Sequence, residues 1–199
     1  MNEHPILFSG PMVRAILDGS KTQTRRIVPI DDTPISQTSA GPTNAANVRY
    51  LGMYLKCDAP AGSATVSARV RCPYGEPGDR LWVREGFAPA YDEFSRPAFM
   101  ADWTGASADV VPRPKFKPGI HMPRALSRID LEIEAVRVER LHDITGPDIL
   151  AEGFLFSPGC KLPEGRALFG QGWDKINGRR ASWTSNPCVW VITFRRVRP

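Results

Sequence analysis

Residues 127–141 read SRIDLEIEAVRVERL, the longest β signal in the chain, and its apolar positions change parity partway along. Ile129, Leu131 and Ile133 share one parity, whereas Val136 and Val138 share the other. Successive side chains point to opposite faces of a strand, so the apolar face switches near Glu134 and Ala135. A bulge at that point would curl the strand, as small barrels require.

The remaining segments fit the same class. HPILFS is a short apolar strand. GPMVRAILDG places Pro11 in a first helical turn, Met12, Val13, Ile16 and Leu17 at helical spacing and Gly19 at the end, which predicts a helix over about 11–18. VRYLGMYLKC and ATVSARVRC read as two strands joined by the turn DAPAGS, and RLWVREGFAP as a half-buried strand. RPAFMADW is a weaker strand. DITGPDILAEGF predicts a short helix capped by Thr145 and ended by Gly153, RALFGQGWDKIN a second, and CVWVITFRRV a closing strand covered on both faces. Short strands with three minor helices predict a mainly β, α+β architecture, a small antiparallel barrel flanked by helices. A chain of 199 residues is expected to form one domain over 1–199, with an insertion at about 31–47 and an elaboration at about 90–112.

Composition excludes several classes. No run approaches the ~20 apolar residues of a membrane span, and MNEHPILFSG lacks the pattern of a signal peptide, so a cytoplasmic location is expected. Cys57, Cys72, Cys160 and Cys188 form no C-x-x-C pair and are expected to be isolated reduced thiols. His4, His121 and His142 are equally scattered, and neither a metal nor another cofactor is expected. The net charge of +5 is uneven: Arg113, Lys115, Lys117, Arg124 and Arg128 lie in an acid-free run, and Arg195, Arg196 and Arg198 close the chain. Such patches suit a polyanion or a solvated basic face.

The most reactive-looking stretch is LDGSKTQTRRIVP, residues 17–29. Lys21, Thr22, Gln23, Thr24, Arg25 and Arg26 crowd an amine, two hydroxyls, an amide and two guanidinium groups together with no acid among them. It reads as a solvated turn, a phosphate grip or the working end of an enzyme.

ILDGSKTQTRR, PGDRLWVRE, the long strand leading into LHDITGPDILAEGF and the closing WVITFRRV resemble, in that order, the ASCH domain family, relatives of the PUA RNA-binding fold. ILFSGPMVRAILDGSKTQTRR, HMPR and WDKINGRRASWTSNPCVWVITF are similar to the branch carried by bacteriophages and prophages. The resemblance implies a PUA-like barrel. It extends to small bacterial amidohydrolases that share G-x-K-T-x-T-x-R and remove the N4-acyl group of acetylcytidine. Their lysine and threonine match Lys21 and Thr24, Arg26 fills the trailing arginine position, and their glutamate corresponds by order and spacing to Glu152. Lys21, Thr24 and Glu152 are therefore the implied catalytic residues, with Thr22, Arg25, Arg26, Glu85 and Arg124 as candidate substrate contacts.

Amide hydrolysis needs a nucleophile, a base for its proton and an acid for the departing amine. A threonine hydroxyl beside a neutral lysine amine meets the first two needs, and burial with the charges of Arg25 and Arg26 would lower the lysine's pKa. On a regular strand Lys21 and Thr24 would face opposite ways, while Thr22, Thr24 and Arg26 would share a face; the triad needs a turn or bulge within 20–24. Glu85, ending a strand, is the rival carboxylate, with a salt bridge to Arg84 or the arginine pair as its structural role. Arg124 suits a phosphate, a carboxylate or the surface. Three functions fit: hydrolysis of an N4-acylated cytosine, as nucleoside or in nucleic acid; a non-catalytic module for single-stranded RNA or DNA; and metal-independent RNA cleavage.

Overall fold

The protein is described here by a computed structural model covering residues 1–28, 55–57, 66–68, 72–90, 96–103, 114–154 and 162–197. The insertion expected at 31–47 and the turn DAPAGS lie outside these residues, as does much of the elaboration expected at 90–112. In chain order the elements are β1 (Glu3–Leu7), α1 (Gly10–Leu17), β2 (Gln23–Ile27), β3 (Leu55–Cys57), β4 (Val66–Ala68), β5 (Arg80–Arg84), β6 (Phe87–Ala88), β7 (Ala98–Phe99), β8 (Asp130–Arg140), α2 (Gly146–Ala151), α3 (Leu162–Asn177) and β9 (Cys188–Val197). Five strands form a mixed sheet in the order β1-β5-β8-β9-β2. Its β1–β5 pair is parallel and the other pairs are antiparallel. The pairs β3–β4 and β6–β7 are separate two-stranded sheets.

The bulge expected in the long strand is present. The β8–β9 ladder shifts register between Ile133 and Ala135. Leu131 and Ile133 before the shift and Val136 and Val138 after it enter the same core cluster, so the extra residue absorbs the change of parity and keeps one face apolar. β9 is covered on both faces: Trp190, Ile192 and Phe194 pack into that cluster, while Val189 and Val191 pack with Ile149 of α2 and Phe169 and Trp173 of α3.

The closed barrel expected from the sequence is not formed among the described residues. The sheet is open, with β1 and β2 at its edges. α1 joins these two strands and lays Val13 and Ile16 onto the core. What further ties the edges is a side chain, the Arg26 guanidinium donating from Nη2 to the Leu7 carbonyl at 2.6 Å, rather than a backbone ladder.

Cys72 is a free, buried thiol whose pKa burial raises to about 11. Cys188 is disulfide-bonded, contrary to the expectation of isolated thiols; wide spacing in sequence says nothing about separation in space. No helix among the described residues is long and apolar enough to cross a membrane.

α3 begins four residues earlier than RALFGQGWDKIN suggests and carries Gly170 and Gly172 within it. A Cβ on Gly170 would lie 2.9 Å from the Trp183 ring, and one on Gly172 would lie 2.8 Å from Phe154. The glycines admit these two rings at a helix-propensity cost of about 1 kcal/mol each. Gly170→Ala is therefore expected to lower the urea midpoint of unfolding despite the better helix former. An unchanged or raised midpoint would show that Trp183 moves aside freely.

Candidate functional site

The chain between α1 and β2 is not a regular strand. The Lys21 amide donates to the Ala15 carbonyl at 2.9 Å, and Lys21 forms an isolated antiparallel bridge with Glu152. Thr22 donates to Ala151 at 2.8 Å and accepts from Phe194 at 2.9 Å before β2 begins at Gln23. Residues 20–22 thus belong to a junction where the ends of α1 and α2 meet the sheet, and the strict alternation that would separate Lys21 from Thr24 does not apply. Gly153 makes the junction close: it adopts φ +82°, and a Cβ there would lie 2.9 Å from that of Ala15 and 3.1 Å from that of Lys21.

The junction encloses an ion cluster. Lys21 is 2% exposed, and its Nζ donates to the Gln23 carbonyl at 2.8 Å, the Glu152 carbonyl at 2.9 Å and Glu152 Oε2 at 2.9 Å. Glu152, 5% exposed, accepts through Oε1 from Arg25 Nη1 at 3.2 Å. Arg25 in turn donates from Nε to Glu139 Oε1 at 3.1 Å and from Nη2 to the same oxygen, and approaches Asp148 Oδ2 at 3.3 Å. Arg137 spans Glu139 and Asp148 from outside, at 3.1 and 3.0 Å.

Burial sets the electrostatics. Desolvation lowers the Lys21 pKa, opposed by the charge and hydrogen bond of Glu152 and assisted by the charges of Arg26 and Arg25. Partial burial works against the Asp148 carboxylate, yet hydrogen bonds from the Thr145 side chain and backbone and from Gln23, with the Arg25 charge, hold it well below the usual range.

Beside the cluster is a cavity of ≈ 440 Å³ counting its open mouth. Thr24, Arg25 and Arg26 of β2 and Glu152 form its polar side; Met12, Phe154, Trp173 and the 61% exposed Ile176 are among its apolar walls. Thr24 is 3% exposed and makes no side-chain hydrogen bond among the described residues. Arg26 lies 5.2 Å from the Phe8 ring and 5.9 Å from Tyr74, and its Nε is buried without an acceptor.

The sequence-derived candidates divide accordingly. Glu152 contacts both Lys21 and Arg25, and Thr24, Arg25, Arg26 and Glu152 share one cavity. Thr22 is exposed next to them. Glu85 is elsewhere: it directly follows β5, three strands from β2, or about 14 Å at ordinary strand spacing. Both its oxygens accept from Arg128, at 2.8 and 3.1 Å, rather than from Arg84 or the arginine pair. Arg124 pairs with Glu3 at 3.0 Å and Asp130 at 3.0 Å. Lys115, Lys117, Arg195 and Arg196 are exposed; Arg113 lies outside the described residues.

Sequence reasoning missed Glu139, Asp148 and Phe154. Asp148 carried one signal: as the fourth residue of T-G-P-D it completes a capping box with Thr145, which fixes its position facing β2. Among the described residues no group of His, Cys, Asp or Glu is arranged to hold a metal ion. Fold and site together define a mixed α+β protein with a buried lysine–glutamate–arginine cluster beside a cavity at a sheet edge. The chain matches no family model, no curated protein and no solved structure.

Glu152→Gln leaves the Lys21 ammonium buried with only carbonyl and amide oxygens, and is expected to cost about 3 to 5 kcal/mol in denaturant unfolding. Adding Lys21→Met should recover part of that loss, because the buried charge is then gone. A double variant less stable than Glu152→Gln alone would contradict a directly coupled pair.

For Asp148 the folded pKa is depressed, so the stability it contributes is complete above its unfolded value of about 3.9 and is lost as pH falls below it. Asp148→Asn should accordingly be less stable than the parent at pH 7, with the gap narrowing below about pH 4. A gap independent of pH would refute this role.

Proposed function

We propose that the protein is an amidohydrolase that removes an N4-acyl group from a modified cytosine, with Thr24 as nucleophile, Lys21 as base and Glu152 as proton carrier. The observation that carries the reading is the buried Lys21–Glu152 contact at 2.9 Å near Thr24, which makes no side-chain hydrogen bond among the described residues and lines the same cavity as Glu152. The resemblance to the ASCH amidohydrolases at G-x-K-T-x-T-x-R points to the same three residues.

The chemistry balances within the pair. A proton passes from the Lys21 ammonium to Glu152, leaving an amine and a carboxylic acid, an exchange favoured by the desolvation that lowers the lysine pKa. Lys21 Nζ donates to the Gln23 carbonyl, part of the peptide leading into Thr24. Thr24 Oγ1 attacks the acyl carbon as Lys21 takes its proton. Glu152 then protonates N4, the carbon–nitrogen bond breaks, and the free cytosine leaves an acyl-threonine ester. Water, deprotonated by the same route, cleaves that ester to a carboxylic acid and restores Thr24.

The buried, ion-paired state of Lys21 and Arg25 weighs against the reading in which they grip phosphates as part of a nucleic-acid module. Of the hexamer's cations, Arg26 alone is left without a carboxylate partner among the described residues.

Incubation with N4-acetylcytidine should release cytidine and acetate. Thr24→Ala is expected to fold as the parent does, since it removes no hydrogen bond, but to lose turnover by on the order of 10³-fold or more. Thr24→Ser should retain part of the activity because the attacking oxygen survives. Parental activity in Thr24→Ala would sink the assignment.

A further inference from the structure

We propose that Arg26 is an anion subsite of the cavity, taking a phosphate or carboxylate carried by the ligand; this rests on the cavity being the substrate site. Arg25 and Arg26 are neighbours on β2 with opposite surroundings. Arg25 meets Glu139, Asp148 and Glu152. Arg26, pointing to the other face, has no carboxylate within ion-pair distance among the described residues.

A guanidinium has five N–H donors in a planar fork. One nitrogen of Arg26, Nη2, donates to the Leu7 carbonyl at 2.6 Å, while Nε is buried with no acceptor. Phe8 and Tyr74 hold the side chain but accept no such bond. Burial disfavours its charged form, and the distant compensation comes from Tyr74 and Glu152. Glu152 is the carboxylate that lines the cavity, and its two oxygens are already held by Lys21 at 2.9 Å and Arg25 at 3.2 Å. Arg26 is thus a half-buried cation at a cavity wall, with one buried donor unsatisfied and no carboxylate of its own among the described residues, an arrangement that an oxyanion entering the cavity relieves.

Position along the strand narrows the ligand. Thr24 and Arg26 are two residues apart on one strand face, roughly 6 to 7 Å. An anion held by Arg26 and the acyl group that Thr24 attacks therefore belong to one ligand. A phosphate on the nucleoside sugar and a carboxylate at the far end of a dicarboxylic acyl group are two sources of the same chemistry.

Calorimetric binding to the full chain tests this without turnover, using cytidine, cytidine 5′-monophosphate and, with Thr24→Ala to prevent cleavage, N4-succinylcytidine set against N4-acetylcytidine. At least one anionic probe is expected to bind about tenfold or more tightly than its neutral counterpart, the gain typical of a charge-assisted hydrogen bond. Which probe gains identifies the source of the anion. The gain should vanish in Arg26→Gln and survive in part in Arg26→Lys, which keeps the charge should the neutral variant fold poorly. No gain from either anion, no binding of either, or a gain that persists in Arg26→Gln overturns the subsite. Because binding is read apart from hydrolysis, a protein that fails to release cytidine leaves this result standing on its own.

Discussion

Two cations and a carboxylate sit together where water barely reaches, and the surrounding structure is arranged to make that tolerable. Lys21 is 2% exposed, and each of its three ammonium protons has an acceptor. Transferring such a group from water is costly unless every donor is satisfied, so the positions of Gln23 and Glu152 are tightly constrained. Both acceptors from Glu152 depend on where α2 stops. Thr145 and Asp148 fix the start of that six-residue helix, and Gly153, at φ +82°, lets its end close onto Lys21 and Ala15. One ion pair therefore links the end of α1, the end of α2 and the start of β2.

How far the sequence disclosed this differs between fold and site. In residues 127–141 the parity change of the apolar residues translated into a bulge between Ile133 and Ala135, because alternation along a strand is a local rule. Helix ends were legible for a similar reason: Pro11, Gly19 and Gly153 act through their own backbone, and the Thr145 hydroxyl caps the helix that follows it directly. Barrel closure was not legible. It depends on whether two edge strands, β1 and β2, meet by backbone or through side chains such as Arg26, and no local pattern encodes that.

The hexamer's chemistry was visible, but its electrostatics were not. Six residues with no acid among them left a solvated turn, a phosphate grip and an active site all open, yet Arg25 finds Glu139, Asp148 and Glu152 from 114 to 127 residues away in sequence. Those carboxylates come from β8 and from both ends of α2, and their convergence is a product of topology. Local charge balance is a poor guide here, since neutrality is achieved in space. Glu85 illustrates the converse: a glutamate well placed in sequence to serve the site is satisfied by Arg128 on the far part of the sheet.

The open edge of the sheet and the site are aspects of one arrangement. β2 pairs with β9 on one side only, and on the other its approach is met by Glu152 through the Lys21 bridge, so the end of α2 takes the place that a further strand would fill. A strand in that place would supply backbone hydrogen bonds but would exclude the Glu152 carboxylate and fill the cavity between β2 and α3. Leaving the edge to a helix terminus instead allows a side chain from outside the sheet to reach residues of both parities. Glu152 thereby touches Arg25 while bounding a cavity that Thr24, Arg25 and Arg26, residues of both parities, also line. An ordered ladder separates odd from even residues; chemistry that needs both must be assembled where the ladder ends.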